Sequence, residues 1–190
     1  NFIENESNNI MVETYDNILP KSINKLILAE LCNSCRWRLA FDKGPRDIYV
    51  DMLLNKVEKD FGWNMRSYHL TEHYDENVKL NTWAETIFHS VLEKSKKFIN
   101  PIPVRFNWNY YNRCSTGNFH TDSDDTNFYS ILYSIHDTDG GIKVKDDFYK
   151  DIEGEAKLFP SYIEHKGVGP TNSVLRFNLN IVFKCDAVIK

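Results

Sequence analysis

Three residues of this chain have the types and the spacing that a metal centre requires. His120 and Asp122 are separated by one residue, and His165 follows after a further 42 residues. Side chains at positions i and i+2 of an extended segment point to the same side, so His120 and Asp122 can bind one ion together. Two imidazoles and one carboxylate cover one face of an octahedral ion such as Fe(II) and leave the other face open. The pattern therefore predicts a metal site that can accept further ligands.

A fourth candidate lies in the last strand-like segment of the chain. From Leu175 to Phe183 every second residue is apolar, whereas Arg176, Asn178 and Asn180 fall on the opposite face. Polar residues in an otherwise packed strand indicate that this second face lines a polar, barrel-like interior. A guanidinium stays charged when it is buried and pairs with a carboxylate through two hydrogen bonds. The segment therefore predicts an anionic ligand in this interior.

The elements that must position these residues begin with helices. Pro20 opens a helix with apolar residues at positions 23, 26, 27 and 31, and we expect this apolar face to pack inward. A second helix is predicted from the capping box at Thr82 to Glu85 as far as Asn100, and residues 60–81 before it have no clean period. We interpret residues 60–81 as a long loop or lid that controls access to the site.

The second half of the chain has the period of two that is typical of strands. After Pro103, the residues Arg105, Asn107, Asn109 and Tyr111 alternate with apolar positions, and we expect the first three to line the pocket mouth. Further strands are predicted at 119–122, 128–135, 142–145, 155–159, 162–165 and 173–184. Short strands separated by Gly, Asp, Asn and Pro predict a closed or two-sheet antiparallel structure with the helices outside. The predicted fold class is mainly β with flanking helices (α+β).

Length, charge and cysteine content limit the class of protein. The 190 residues suit one domain, and we predict a polar leader at 1–11 followed by a single domain at 12–190, with a helical and lid portion at 20–100 and a strand core at 103–184. A net charge of -4 disfavours nucleic acid as a partner. No apolar stretch approaches the roughly 18 residues of a membrane span, and four scattered cysteines indicate reduced thiols. We expect a soluble cytoplasmic protein without a membrane partner, either a monomer or a homodimer.

The motifs together resemble those of a known family. The segment from Gly117 to Asp122, the glycine pair Gly140-Gly141, His165 and Arg176 resemble the Fe(II)- and 2-oxoglutarate-dependent dioxygenases, in particular the prolyl-4-hydroxylase-like branch with its small bacterial and bacteriophage-encoded oxygenases. The resemblance implies a double-stranded β-helix, which is also called a jelly roll or cupin-like fold. Glu often follows the paired glycines in that family, and Ile142 stands there in this chain.

The resemblance also implies a role for each candidate residue. His120, Asp122 and His165 would bind the iron and Arg176 would pair with the distal carboxylate of 2-oxoglutarate. Asn178 stands where the family often has Ser or Thr, and its amide can still donate to a carboxylate. Tyr111 is preferred to Tyr110 as a tyrosine that contacts 2-oxoglutarate, and Tyr133 and Ser134 are candidates for a further hydroxyl near it.

The implied activity is hydroxylation of a substrate C-H bond with release of succinate and CO2. The cofactors and co-substrates would be Fe(II), 2-oxoglutarate and O2, with ascorbate as a further candidate. Asp122 favours hydroxylation, because the halogenating relatives lack this carboxylate. A peptidyl proline or another protein side chain is the favoured substrate, and small molecules remain open. A jelly-roll protein that binds ligands without catalysis is the alternative.

Two other motifs have the spacing of a zinc site and of a redox cysteine pair. His69, Glu72 and His73 match the H-x-x-E-H pattern of a zinc hydrolase, but their flanks lack the apolar periodicity of the helix that this pattern needs. Cys32 and Cys35 have the spacing of a redox pair but close a helix instead of opening one after a strand. We interpret the first as lid histidines and the second as structural thiols.

Overall fold

A computed structural model describes residues 12–33, 38–40, 62–69 and 78–189 of the chain. Within these ranges the chain forms two helices, α1 at Lys21–Asn33 and α2 at Val78–Ser95. The strands in the same ranges are β1 Glu13–Tyr15, β2 Arg38–Ala40, β3 Gly62–His69, β4 Phe98–Ile99, β5 Ile102–Asn112, β6 Phe128–Ser134, β7 Gly141–Val144, β8 Asp147–Lys150, β9 Ala156–Pro160, β10 His165–Val168, β11 Leu175–Lys184 and β12 Ala187–Val188.

Most of the strands belong to one large antiparallel sheet. Its strand order is β1-β9-β6-β11-β5-β3-β2, with β11 between β5 and β6. Alternation along β11 works as predicted, because Phe177, Leu179, Ile181 and Phe183 are buried in the main hydrophobic core. The same core contains buried residues of both helices. The helices therefore cover the apolar face of this sheet and leave its polar face for the site.

A second sheet has the order β10-β7-β8. Its buried residues Ile142 and Val144 form a separate cluster with Leu132 and Phe159, which belong to the large sheet. The two sheets therefore face each other across an apolar layer, with the polar residues of β5 and β11 beyond it. The predicted mainly β jelly-roll architecture with helices outside is confirmed.

Helix α1 begins where the sequence predicts. The carbonyl of Pro20 accepts hydrogen bonds from the amides of Ile23 and Asn24, which makes Pro20 the residue that precedes the first turn. Ile27 and Leu31 are buried in the core, but Leu26 is 59% exposed. The expectation that Leu26 packs inward is therefore wrong, and Asn24 occupies a buried position on that face instead.

Helix α2 differs from its predicted bounds at both ends. The Thr82 hydroxyl donates to the carbonyl of Val78 at 2.9 Å, so Thr82 lies inside the helix and the predicted capping box is wrong. The helix ends at Ser95, because Lys96 adopts a left-handed conformation with φ of 54°. Residues Phe98–Ile99, which were expected to be helical, pair with β12.

The predicted loop at 60–81 is wrong over the residues described there. Gly62–His69 form β3, which pairs with β5, and α2 already begins at Val78. The pairing register shifts between Arg66 and Tyr68. An irregularity of this kind interrupts the regular alternation along a strand. The sequence of such a strand therefore shows no clean period of two.

Two short segments near the candidate metal ligands were also misjudged. Residues 119–122 form no strand, since only His120 makes an isolated bridge, which pairs it with His165. Strand β10 begins at His165 and does not include 162–164, because Ile163 turns back and donates to the carbonyl of Pro160. Strand β8 at Asp147–Lys150 was not predicted at all. Neither described helix is long and apolar enough to cross a membrane.

Candidate metal and carboxylate site

Backbone pairing brings the two candidate histidines together. His120 and His165 exchange both backbone hydrogen bonds, at 3.0 and 2.9 Å, and their ring centroids lie 4.6 Å apart. The amide of Asp122 donates to the carbonyl of Ser161 at 3.0 Å, which fixes the carboxylate beside them. The ligand atoms of His120, Asp122 and His165 all lie within 4.8 Å of one another, and no other such group occurs in the described part of the chain.

The outer nitrogen of each imidazole is held by the backbone. His120 Nδ1 lies 3.0 Å from the carbonyl oxygen of Asn118, and His165 Nδ1 lies 2.8 Å from that of Ile163. An Nδ1 that donates its proton to a carbonyl leaves Nε2 with a free lone pair. His165 Nε2 is buried, makes no hydrogen bond within the described part of the chain and lies 3.5 Å from Asp122 Oδ2. These donor atoms fit a divalent metal of the kind that imidazole and carboxylate bind.

The carboxylate of Asp122 is strongly held in its ionised form. Its side chain is 3% exposed, with Arg105 Nη2 2.5 Å from Oδ1 and Ser130 Oγ 2.7 Å from Oδ2. Asn180 Nδ2 also donates to Oδ2, at 3.1 Å. Burial opposes ionisation, but His165, Arg105 and Ser130 keep the pKa of Asp122 well below its ordinary value. In turn, burial lowers the pKa of His165, and the adjacent carboxylate outweighs this effect and raises it.

Arg105 was expected to line the mouth of the pocket together with two asparagines. The Arg105 guanidinium instead pairs with Asp122, which is a candidate metal ligand. Asn107 and Asn109 continue along the same face of β5, with Asn107 Nδ2 donating to Asn109 Oδ1 at 2.8 Å. Asn109 lies opposite Asn178 of β11 in the sheet register. An amide row therefore connects the surroundings of Asp122 to those of Arg176.

Arg176 lies at the other end of this polar face and is fully buried. The Tyr111 ring covers its guanidinium at 4.7 Å, whereas Tyr110 stacks on Phe177. When the Asn178 amide is turned so that its oxygen faces the guanidinium, this oxygen accepts from Nη2 at 3.0 Å and Nη1 at 3.1 Å. Burial raises the pKa of Tyr111, so the phenol is neutral and can donate.

Two glycines make room for this arrangement. A Cβ on Gly167 would collide with the Tyr111 ring, and a Cβ on Gly140 would lie 2.9 Å from Arg176 Cδ. The Gly140 position would also bring that Cβ within 2.7 Å of the Val168 carbonyl oxygen. The first glycine of the pair noted in the sequence therefore serves the close approach of Arg176.

The two candidate hydroxyls of β6 lie on opposite faces of the sheet. Tyr133 is buried in the main core, where its hydroxyl donates to Asn24 Oδ1 of α1 at 2.6 Å. Strand alternation thus turns Tyr133 away from Arg176, and its expected place near the ligand is corrected. Ser134 faces the interior and donates to Asp151 Oδ1 at 3.0 Å, so it reaches Arg176 through an intervening carboxylate.

Sequence reasoning missed Asp151, Ser130 and Ser161. Asp151 pairs with Arg176, while Ser130 donates to Asp122 and lies 2.8 Å from Ser161 Oγ. Ser130 could have been found, since it precedes Leu132 and Ser134 on the polar side of a predicted strand. Asp151 follows a strand that was not predicted, and no local pattern connects it to Arg176, which is 25 positions away.

The competing motifs gain no support from the described residues. His69 is the last residue of strand β3, whereas the zinc-hydrolase pattern needs a helix there. Glu72 and His73 lie outside the described residues, as do Cys35 and the predicted leader at 1–11. Cys32 is exposed at the end of α1.

Comparison with known proteins supports the fold and does so through structure alone. No family model and no curated protein match the sequence. A Pseudomonas putida prolyl-4-hydroxylase matches with a TM-score of 0.56 and 11% identity, over 94% of this chain and 95% of that one.

Two further solved structures match over most of their length. The viral collagen prolyl hydroxylase of Paramecium Bursaria Chlorella virus-1, in its 2OG complex, has a TM-score of 0.56 and 10% identity, over 91% of this chain and 96% of that one. HygX from Streptomyces hygroscopicus, with nickel and 2-oxoglutarate bound, has a TM-score of 0.60 and 8% identity, over 93% and 84%. The chain therefore shares the fold of the 2-oxoglutarate-dependent oxygenases, including prolyl hydroxylases, as the sequence resemblance implied.

Proposed function

We propose that this protein is an Fe(II)- and 2-oxoglutarate-dependent dioxygenase that hydroxylates a C-H bond and releases succinate and CO2. The observation that carries the proposal is the convergence of the ligand atoms of His120, Asp122 and His165 within 4.8 Å, with His165 Nε2 buried and making no hydrogen bond to a described residue. A facial triad of this composition is typical of non-heme Fe(II) oxygenases. The fold likeness to HygX, which was solved with nickel and 2-oxoglutarate, supports the same reading.

The residues divide into an iron-binding group and a carboxylate-binding group. His120, Asp122 and His165 would hold the iron, and Arg176 would receive the distal carboxylate of 2-oxoglutarate through its Nη atoms. Asn178 and the neutral Tyr111 hydroxyl would support that carboxylate. When bound, the iron with 2-oxoglutarate and O2 supplies the oxidising chemistry, and ascorbate would serve to keep the iron reduced. The chain's own part is to hold and orient these groups.

The substrate class is part of our proposal and does not follow from the fold. A peptidyl proline or another protein side chain is favoured by the resemblance, and two of the similar structures are prolyl hydroxylases. Another similar structure, SnoN, is an alpha-ketoglutarate-dependent epimerase from nogalamycin biosynthesis, so likeness of fold does not fix the reaction or the substrate. A cytoplasmic location and a monomeric or homodimeric state remain predictions.

A second candidate function has one observation in its favour. The candidate metal ligand Asp122 forms an ion pair with Arg105, and the candidate carboxylate-binding Arg176 forms one with Asp151. The charge of each is therefore balanced within the protein itself. A jelly-roll protein that binds ligands without catalysis would need no more than this. Its prediction differs from ours, because such a protein would form no succinate from 2-oxoglutarate.

Anaerobic titration with Fe(II) and then 2-oxoglutarate tests the proposal. We expect a weak visible metal-to-ligand charge-transfer band, which would report direct contact between the keto acid and the iron. The band should disappear in His120→Ala and should require at least tenfold more 2-oxoglutarate in Arg176→Ala, which loses a charge-assisted hydrogen-bond pair.

His89→Ala is the matched control, because His89 is exposed on α2, where its ring lies beside that of Phe88. It should behave like the wild type. If folded protein that has bound iron gives no band with 2-oxoglutarate, the oxygenase proposal is refuted and the binding-protein alternative is favoured.

A further inference from the structure

The guanidinium of Arg176 has a buried anionic partner that the proposed function does not require. Asp151 lies between β8 and β9 and is 1% exposed. Its Oδ2 accepts from Arg176 Nε at 2.6 Å, and its Oδ1 lies 3.4 Å from Arg176 Nη2. Ser134 Oγ donates to the same Oδ1 at 3.0 Å, and the Asp151 amide donates to the Gly140 carbonyl at 2.9 Å. The carboxylate is therefore fixed by both its side chain and its backbone.

The surroundings of Arg176 allow its side chain one orientation. The Tyr111 ring lies over one face of the guanidinium, and the close approach of Gly140 limits the position of Cδ. Asp151 accepts the hydrogen bond from Nε of the guanidinium, and the two Nη atoms at its other end point toward Asn178. This is the end that a ligand carboxylate would contact.

The same pairing changes the charge that a ligand meets. The formal charges of Arg176 and Asp151 cancel, and both side chains are almost completely buried. A second carboxylate bound at the Nη end would be attracted by the guanidinium and repelled by Asp151 on its other side. The site would then select its ligand more by hydrogen-bond geometry than by net charge.

We propose that Asp151 is a positioning residue that acts through Arg176 and sets how strongly the site prefers 2-oxo acids with a charged end over those with a neutral end. The inference rests on the proposed function, because it assigns Arg176 to the distal end of the keto acid. Asp151 directs the guanidinium and at the same time weakens its hold on an anion.

The test compares Asp151→Asn with Asp151→Ala in the iron-loaded protein, with 2-oxoglutarate and 2-oxovalerate as probes. Asn keeps an oxygen for Arg176 Nε and removes the charge, so we expect 2-oxoglutarate to bind about tenfold more tightly. Binding of 2-oxovalerate, which lacks the distal carboxylate, should not change. Asp151→Ala also removes the charge but leaves Nε without a partner, and we expect it to bind 2-oxoglutarate at least about fivefold more weakly than Asp151→Asn.

A purely structural Asp151 would give a different pattern. Equal changes for both keto acids, or no gain for 2-oxoglutarate in Asp151→Asn, would overturn the proposal. Equal 2-oxoglutarate affinity in the two variants would overturn its positioning part. Asp147→Asn is the matched control, since it removes the same charge from an exposed residue of β8.

If Asp151→Asn does not fold, the ligand preference of the wild-type protein tests the role of Asp151 instead. Its partly neutralised Arg176 should bind 2-oxoglutaramate, whose end is an uncharged amide, within about tenfold of 2-oxoglutarate. A preference for 2-oxoglutarate above about 100-fold would contradict the proposal.

Calorimetric titration of metal-free protein with glutarate separates this inference from the proposed function. Glutarate has carboxylates but no keto group, so its binding reports on Arg176 without iron. If the charge-transfer band never forms but Asp151→Asn binds glutarate more tightly, the oxygenase proposal fails and the role of Asp151 stands. If the band forms and Asp151→Asn changes no affinity, the reverse holds.

Discussion

At the scale of single residues, the candidate metal ligands depend on neighbours that do not bind metal themselves. Ser130 donates to Asp122 Oδ2 and contacts Ser161, and the carbonyls of Asn118 and Ile163 orient the two imidazoles. Outer contacts of this kind fix the direction and basicity of the ligand atoms. The types and spacing of His120, Asp122 and His165 predicted them as candidate ligands, whereas the only sequence signal for Ser130 is its place on the polar side of a predicted strand.

Replacing Ser130 with Ala should weaken iron binding without unfolding the protein. Loss of a hydrogen bond to a metal-binding carboxylate typically costs 10- to 100-fold in metal affinity, and we expect about tenfold here. The measurement is an Fe(II) titration under anaerobic conditions. Ser90→Ala is the control, because the Ser90 hydroxyl donates to the backbone carbonyl of Thr86 within α2. Unchanged iron affinity in Ser130→Ala would show that Asp122 is oriented without it.

At the scale of elements, two connections between strands are joined beside Arg176. Asp139, which lies between β6 and β7, accepts hydrogen bonds from the amides of Thr171, Asn172 and Ser173 at 2.9, 2.7 and 2.9 Å. It also accepts from the Thr171 hydroxyl at 2.5 Å. These bonds hold the pKa of Asp139 well below its ordinary value. The connection between β10 and β11 is therefore fixed just before the strand that carries Arg176.

The stabilising effect of Asp139 should depend on pH. A carboxylate whose pKa is lowered by folding adds stability above its unfolded pKa, near 3.8, and loses this effect as the pH falls below that value. Asp139→Asn should therefore be less stable than the wild type at pH 7, and the gap should shrink at about pH 3. Urea unfolding at both pH values measures this, with Asp147→Asn as the control. A gap of equal size at both pH values would contradict a charge-dependent role.

The elements also show where local sequence signals were misleading. The sequence of β3 predicts a loop instead of a strand, because the register shift near Arg66 breaks its alternation. Strand β10 contains Gly167, a weak strand residue, at a position where the Tyr111 ring leaves no room for a Cβ. In both places a tertiary contact with β5 determines the local structure, and no window of sequence contains both partners.

At the scale of the whole molecule, one aromatic cluster connects the helical layer to the large sheet. Phe183 of β11 is fully buried, with ring centroids 5.4 Å from Phe88 of α2, 5.0 Å from Phe98 of β4 and 5.8 Å from Tyr129 of β6. Arg176 and Asn180 belong to the same strand but to its opposite face. The packing of Phe183 therefore stabilises the strand that carries the site.

Removing this ring should destabilise the fold as a whole. For Phe183→Ala we expect a loss of about 3–5 kcal/mol in the free energy of unfolding, from lost burial and the cavity that remains. Urea denaturation measures the loss. Val174→Ala, at a residue that is 73% exposed, should change stability by less than about 0.5 kcal/mol. A loss below about 1 kcal/mol in Phe183→Ala would show that the cluster repacks.

The sequence by itself determined the residue types, their alternation and the strand that combines an apolar face with Arg176, Asn178 and Asn180. Such patterns are local, since side-chain direction in a strand depends only on position along it. The tertiary structure decided which distant groups meet these residues, including the pairing of Asp151 with Arg176 and of Arg105 with Asp122. It also turned Tyr133 toward α1 and away from Arg176. Ion pairs between distant segments depend on how the sheets and helices pack, and no local pattern in the chain records that packing.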